Sequence, residues 1–133
     1  MRKQYYFRAS PRGLLAWDVD RLVHLARDFP VRAVPLAQIR ELDAPICGEG
    51  EPPTWRTLVA HLQLLDEADL SYPIILAADG SVMDGRHRAA KALREGRSTI
   101  DVVQFAEDPP PDHVGKRPDE LPYEPTSDGR SEP

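Results

Sequence analysis

The apolar positions of "DVDRLVHLARDFP" fall three and four apart, at Val19, Leu22, Val23, Ala26 and Phe29. They predict a helix that Asp18 caps and Pro30 stops. The same period returns in "TWRTLVAHLQLLDEADLSYP" at Leu58, Val59, Leu62, Leu65 and Ala68, behind Thr54 as N-cap and ahead of Pro73. His61 and Glu67 fall off that stripe. Runs of β-branched and apolar residues predict strands at Val31 to Val34, Ile74 to Ala77, Ser81 to Met83 and "TIDVVQF". Ala78-Asp79-Gly80 reads as the turn of a hairpin between the second and third of these, with Gly80 free to take positive φ. Leu36, Ile39 and Leu42 suggest a helical turn after Pro35, and "DAPICGEGEPP" reads as loop. A third helix, "RHRAAKALREG", is built from strong helix formers and ends at Gly96, where a C-terminal cap belongs.

The predicted fold class is therefore α+β, a small mixed sheet flanked by helices, in three parts. Residues 1–30 form an aromatic arm and a helix, 31–106 the main domain, and 107–133 a tail. That tail holds seven of the chain's 14 prolines and many acids, which predicts an extended or disordered segment. Only "LPYEP" offers apolar groups that can dock, through Leu121 and Tyr123.

Composition narrows the function classes. The net charge of −5 argues against broad binding to a nucleic-acid backbone, though not against a local basic pocket. No run approaches the roughly 20 apolar residues of a membrane span, and "MRKQYYFRAS" has no apolar stretch behind its basic start. Cys47 is the single cysteine, so no internal disulfide can form. A cytoplasmic location is the expectation.

The densest chemistry lies in "DGSVMDGRHR". Asp84-Gly85 turns the chain into the third helix, and Arg86, His87 and Arg88 follow at once. A helix N-terminus presents unpaired N–H groups and the positive end of a dipole. Cations are unfavourable there unless an anion relieves them, and phosphate is the natural one. The competing reading is internal: Asp84 caps the helix, Arg86 is solvated, and Arg88 pairs with Asp84, Glu95 or another acid.

The stretch "VPLAQI…YPIILAADGSVMDGRHRAAKALREGRSTIDVVQF" resembles the ParB/sulfiredoxin superfamily over about residues 31–106. In that superfamily the glycine turn and helix start bind nucleotide phosphates. Members include partition proteins that hydrolyse CTP, ATP-dependent sulfiredoxins and a free-serine kinase. The resemblance implies phosphate contacts from Gly85, Arg86, His87 and Arg88, with His87 and Asp84 as the catalytic candidates. Asp84 would hold the turn or help to place a metal ion. It also implies ATP or CTP with Mg²⁺ as ligand, and nucleoside-triphosphate hydrolysis or phosphoryl transfer as the chemistry. Arg86 stands where sulfiredoxins carry their cysteine, which argues against that reaction. The acidic tail stands where partition proteins continue into a helix-turn-helix, so sequence-specific DNA binding is not expected. A kinase needs a carboxylate base, for which Glu41, Asp43, Glu49 and Glu51 are the candidates.

Trp55 beside Arg56 can stack on a base while the guanidinium meets a phosphate, but a packed Trp55 is the favoured expectation. His24, His61, Cys47, His87 and His113 lack metal-ligand spacing, so the protein alone is expected to hold no metal. Neither a nucleophilic triad nor a two-metal carboxylate cluster is present in the pattern. The alternative to an enzyme is a non-catalytic module that binds a protein or nucleic-acid-associated partner through the arm and tail.

Overall fold

The computed structural model describes residues 3–46 and 53–123. The chain is α+β, with three α-helices and two small sheets among those residues. It divides into two units: Met1–Asp28 with Pro109–Pro133, and Phe29–Asp108.

In the first unit, β1 (Tyr5–Arg8) and β2 (Leu15–Asp18) form an antiparallel hairpin, and β7 (His113–Val114) joins the other side of β2. Asp18 ends β2 and accepts from the N–H of Asp20 at 2.9 Å, starting α1 (Val19–Ala26) as the sequence predicts. Leu22 and Ala26 are buried, whereas Val23 faces outward and Phe29 lies beyond the helix.

The tail up to Tyr123 runs mostly extended, with β7 and a short 3-10 turn at Pro118–Glu120, and is bonded to the arm and α1. Prolines lack an N–H but keep a carbonyl, and side-chain donors of the arm take those carbonyls one by one. The Trp17 indole donates to Pro109 O at 2.8 Å, Arg21 to Pro110 O at 2.8 Å and Tyr5 Oη to Pro122 O at 2.5 Å. The Tyr5 ring meets His113 and Tyr123 edge-on, and Leu121 is buried. Docking through Leu121 and Tyr123 is thus the part of the tail reading that holds. The rest of the tail lies outside the described residues.

The second unit carries the mixed sheet. Its order is β3 (Arg32–Pro35), β6 (Thr99–Gln104), β4 (Ile74–Leu76), β5 (Val82–Asp84), with β4 and β6 parallel and the other pairs antiparallel. Two short 3-10 turns, Leu36–Gln38 and Arg40–Asp43, follow β3. Helix α3 (Arg86–Arg94) packs on β4 and β6 through Ala89 and Ala92, whose small side chains let it lie close to the sheet. Around them gather Val34, Leu36, Ile39, Ile74, Leu76, Val82, Ile100 and Val102. Gly96, at φ 77°, closes α3 as predicted, its N–H bonded to Leu93 O.

Helix α2 (Trp55–Glu67) departs from expectation. Thr54 and Thr57 cap it reciprocally, but none of its residues is buried. It packs on α3 with Leu58, His61 and Leu65 turned inward. Val59 and Leu62, which the period assigns to the buried stripe, are 53% and 45% exposed. A helix covered on one narrow side hides only part of a wide apolar stripe.

Leu121→Ala should lower stability by about 2–3 kcal/mol if the tail segment is part of the first unit's core. Thermal unfolding of both chains in a Trp55→Phe background, followed by the emission of Trp17, only 2% exposed, measures this. An unchanged midpoint would make the tail a passenger.

Candidate functional site

The turn from β5 into α3 is made by Gly85, at φ 114° and ψ 22° in the left-handed region. A Cβ there would lie 2.5 Å from Ile74 Cγ2, so the missing side chain serves close packing against β4. A bare glycine is also what a ligand approaching the backbone needs. In the structure the cleared space is occupied by the protein's own core.

Asp84 does not cap α3: Gly85 holds the N-cap position and no side chain bonds the first turn. Among the described residues, the N–H groups of Arg86, His87 and Arg88 are thus left without a capping acceptor. Asp84 Oδ2 instead accepts from Arg88 Nη2 at 2.6 Å, with side chains 21% and 16% exposed. Arg88 also donates to Pro73 O at 3.0 Å and Tyr72 O at 3.3 Å, tying the loop before β4 to the start of α3. The internal reading of the motif therefore holds for this pair. Arg88 is a clamp, its guanidinium turned into the fold.

Arg86 is different. Its side chain is exposed and makes no hydrogen bond or ion pair among the described residues. His87 is half-buried, and its Nε2 lies 2.9 Å from Nδ1 of His61 on α2, the rings nearly parallel with centroids 5.2 Å apart. Burial first, then His61, then Arg86 hold the His87 imidazolium below the usual histidine range. The period set His61 aside as an off-stripe residue, and this contact went unseen. The available signal was its position one helical turn from Leu58 and Leu65, on the face that packs.

Three contacts set the direction of α2 against α3. His61 meets His87, Lys91 Nζ donates to Asp66 O and Ala68 O at 3.0 and 2.7 Å, and Arg94 pairs with Asp66 at 2.8 Å. Both series ascend together, so the helices run in the same sense and their N-termini share one end. From the His61 level, α2 extends six residues, about 9 Å, further toward that end. Trp55 and Arg56 open it; Trp55 is 83% exposed, where packing was expected. An open hollow of about 440 Å³ is lined by Trp55, Arg56, Val59, Ala60 and Gln63. A second, of about 490 Å³, is lined by Ile46, Pro53, Thr54, Trp55, Thr57 and Leu58. Neither is lined by Gly85, Arg86, His87 or Arg88.

Of the carboxylates considered as a base, Glu49 and Glu51 lie outside the described residues, as does Cys47, and Asp43 is exposed. Glu41, in the 3-10 turn that packs on α3, accepts the Val82 N–H on Oε2 at 2.8 Å. Its Oε1 is buried with no partner among the described residues. No cluster of three or more metal-binding side chains occurs among those residues. His24 bonds Arg27 on α1, and His113 lies against Tyr5. No helix described is long and apolar enough to cross a membrane.

Comparison with protein-family models, curated proteins and solved structures finds no match.

Because Asp84 and Arg88 are largely shielded, removing one strands the other. Arg88→Ala and Asp84→Asn should each cost about 1–3 kcal/mol. The double variant should cost clearly less than the sum, a coupling that denaturant titrations of the four chains would measure.

Proposed function

We propose that this chain is a ParB/sulfiredoxin-like domain that binds a phosphate-bearing ligand, a nucleotide first among them, at the N-terminus of α3. One observation carries the reading: a helix start whose first three N–H groups and exposed Arg86 have no partner among the described residues. A left-handed glycine followed by open amides is a concavity suited to an anion. The order of elements from β3 through the β4–β5 hairpin to α3 and β6 supports the same family likeness.

The roles differ from those read off the sequence. The amides of residues 86–88 and the Arg86 guanidinium take the negative oxygens. His87 reaches the ligand only if its ring leaves His61, or acts through its backbone. Asp84 and Arg88 hold the turn rigid. A magnesium ion would come with the nucleotide, held by the phosphates and by water, because Asp84 is already engaged. Hydrolysis or phosphoryl transfer would rest on positioning and charge stabilisation at these amides. Trp55 and Arg56 open α2 at the same end of the helix pair and would cover a base.

Titration of the full chain with inorganic phosphate, MgATP and MgCTP tests the reading. A ligand at a hundred times its Kd raises stability by about 2.7 kcal/mol. Arg86→Ala should weaken binding about five- to tenfold, the loss of one charge-assisted contact, and leave the melting midpoint of the free chain unchanged. No shift at millimolar concentrations of all three would overturn the proposal.

A second reading has its own observation. Trp55, Val59 and Leu62 form an exposed apolar stripe on α2, of the kind protein partners cover. A docking module would lose its partner on Trp55→Ala and would not respond to phosphate.

A further inference from the structure

We propose that His61 and His87 form a proton-operated latch between α2 and α3, closed with no proton or one proton beyond the neutral pair and opened by the second. The inference is independent of any phosphate ligand.

The geometry is the starting point. Nδ1 of His61 and Nε2 of His87 stand 2.9 Å apart, a distance only a shared hydrogen permits. One nitrogen must donate and the other accept. Two neutral rings satisfy this, and so does an imidazolium facing an imidazole, where the bond is charge-assisted. Two imidazolium rings cannot satisfy it. Both nitrogens then carry hydrogens, no lone pair lies between them, and two positive rings face each other at 5.2 Å.

What the latch holds is unusually dependent on it. No residue of α2 is buried, so the helix leans on α3 through the half-buried Leu58, His61 and Leu65. Three further bonds join the far end of α2 to α3: Lys91 Nζ donates to the carbonyls of Asp66 and Ala68, and Arg94 pairs with the Asp66 carboxylate. The C-terminal turn keeps these bonds while the N-terminal two turns lose the one between the histidines, and α2 swings about its C-terminal end.

The surrounding charges favour opening. On α3, Arg86 flanks the pair and adds repulsion, while the Asp84 carboxylate is engaged by Arg88. On α2, Arg56 lies toward the N-terminus, and Asp66 and Glu67 lie toward the C-terminus. From the 3-10 turn, Glu41 is engaged by the Val82 N–H, Arg40 donates to Asp79 O, and Asp43 is exposed; on β6, Asp101 is exposed. Burial, His61 and Arg86 each depress the His87 imidazolium. A base depressed in the folded state contributes stability that is complete above its unfolded value near 6.5 and is lost as pH falls below it. Opening thus belongs to the acid side of neutrality.

Amide hydrogen exchange of the full chain, corrected for intrinsic rates, measures the latch between pH 7.5 and 4.5. Protection of residues 57–63 should fall at least tenfold further than that of Ile74 and Val102. In His61→Gln, a neutral partner that takes no proton, this pH dependence should vanish while the sheet amides are unchanged. Protection of α2 that follows the sheet at every pH, or a pH dependence that survives in His61→Gln, would overturn the proposal. Should that variant not fold, imidazole NMR titration of the native chain decides. Two rings coupled, with a second step well below 6.5, support the latch, and two independent rings of ordinary value refute it.

Discussion

Gly85 must pass within contact distance of Ile74, and this close approach governs the second unit. β5 is an edge strand of three residues, and α3 has to cross β4 and β6 directly after it. Any side chain at the turn would push the helix off the sheet, and Ala89 and Ala92 could no longer bury against it. The positive φ that brings the chain around is the one a glycine adopts without strain. Once the turn is set, Arg88 comes back under it to Asp84 and to the carbonyls of Tyr72 and Pro73, and the loop before β4 is fastened to the same point. Core packing and a shielded ion pair thus both depend on the few residues that turn β5 into α3.

That double use explains how legible the site was. The sequence pattern located the turn, the helix start and the cluster of positive charge. It could not apportion the charges, because two arginines two residues apart point to different sides of a helix and only the neighbouring strand decides which is enclosed. Arg88 turned inward because Asp84 and two carbonyls waited there; Arg86 stayed in water. The histidine contact was hidden for a related reason. Periodicity counts apolar residues, and the strip of α2 that meets α3 runs Leu58, His61, Leu65, with a polar ring in the middle.

The elements themselves were easier. Thr54, Asp18 and Gly96 each mark a boundary through a hydrogen bond that local spacing can anticipate. The strands carry β-branched residues where a sheet can hide both faces. Burial that depends on distant partners was the harder part. Val59 and Leu62 belong to a helix that packs on α3 by one narrow side, and the proline-rich segment from Pro109 to Tyr123 lacks apolar mass of its own. It is ordered by donors from residues about a hundred positions earlier in the chain, Tyr5, Trp17 and Arg21, a pairing no local window contains.

The Glu41 carboxylate on the Val82 N–H has a consequence for assembly. β5 ends the sheet, and an open edge is a template on which another strand can grow. Here one outward amide is already capped by an acid from the chain's own 3-10 turn, and the guanidinium of Arg40 sits on the adjoining hairpin turn. An incoming strand would first have to evict that acid, so β5 resists fibril-like stacking through a single well-placed side chain.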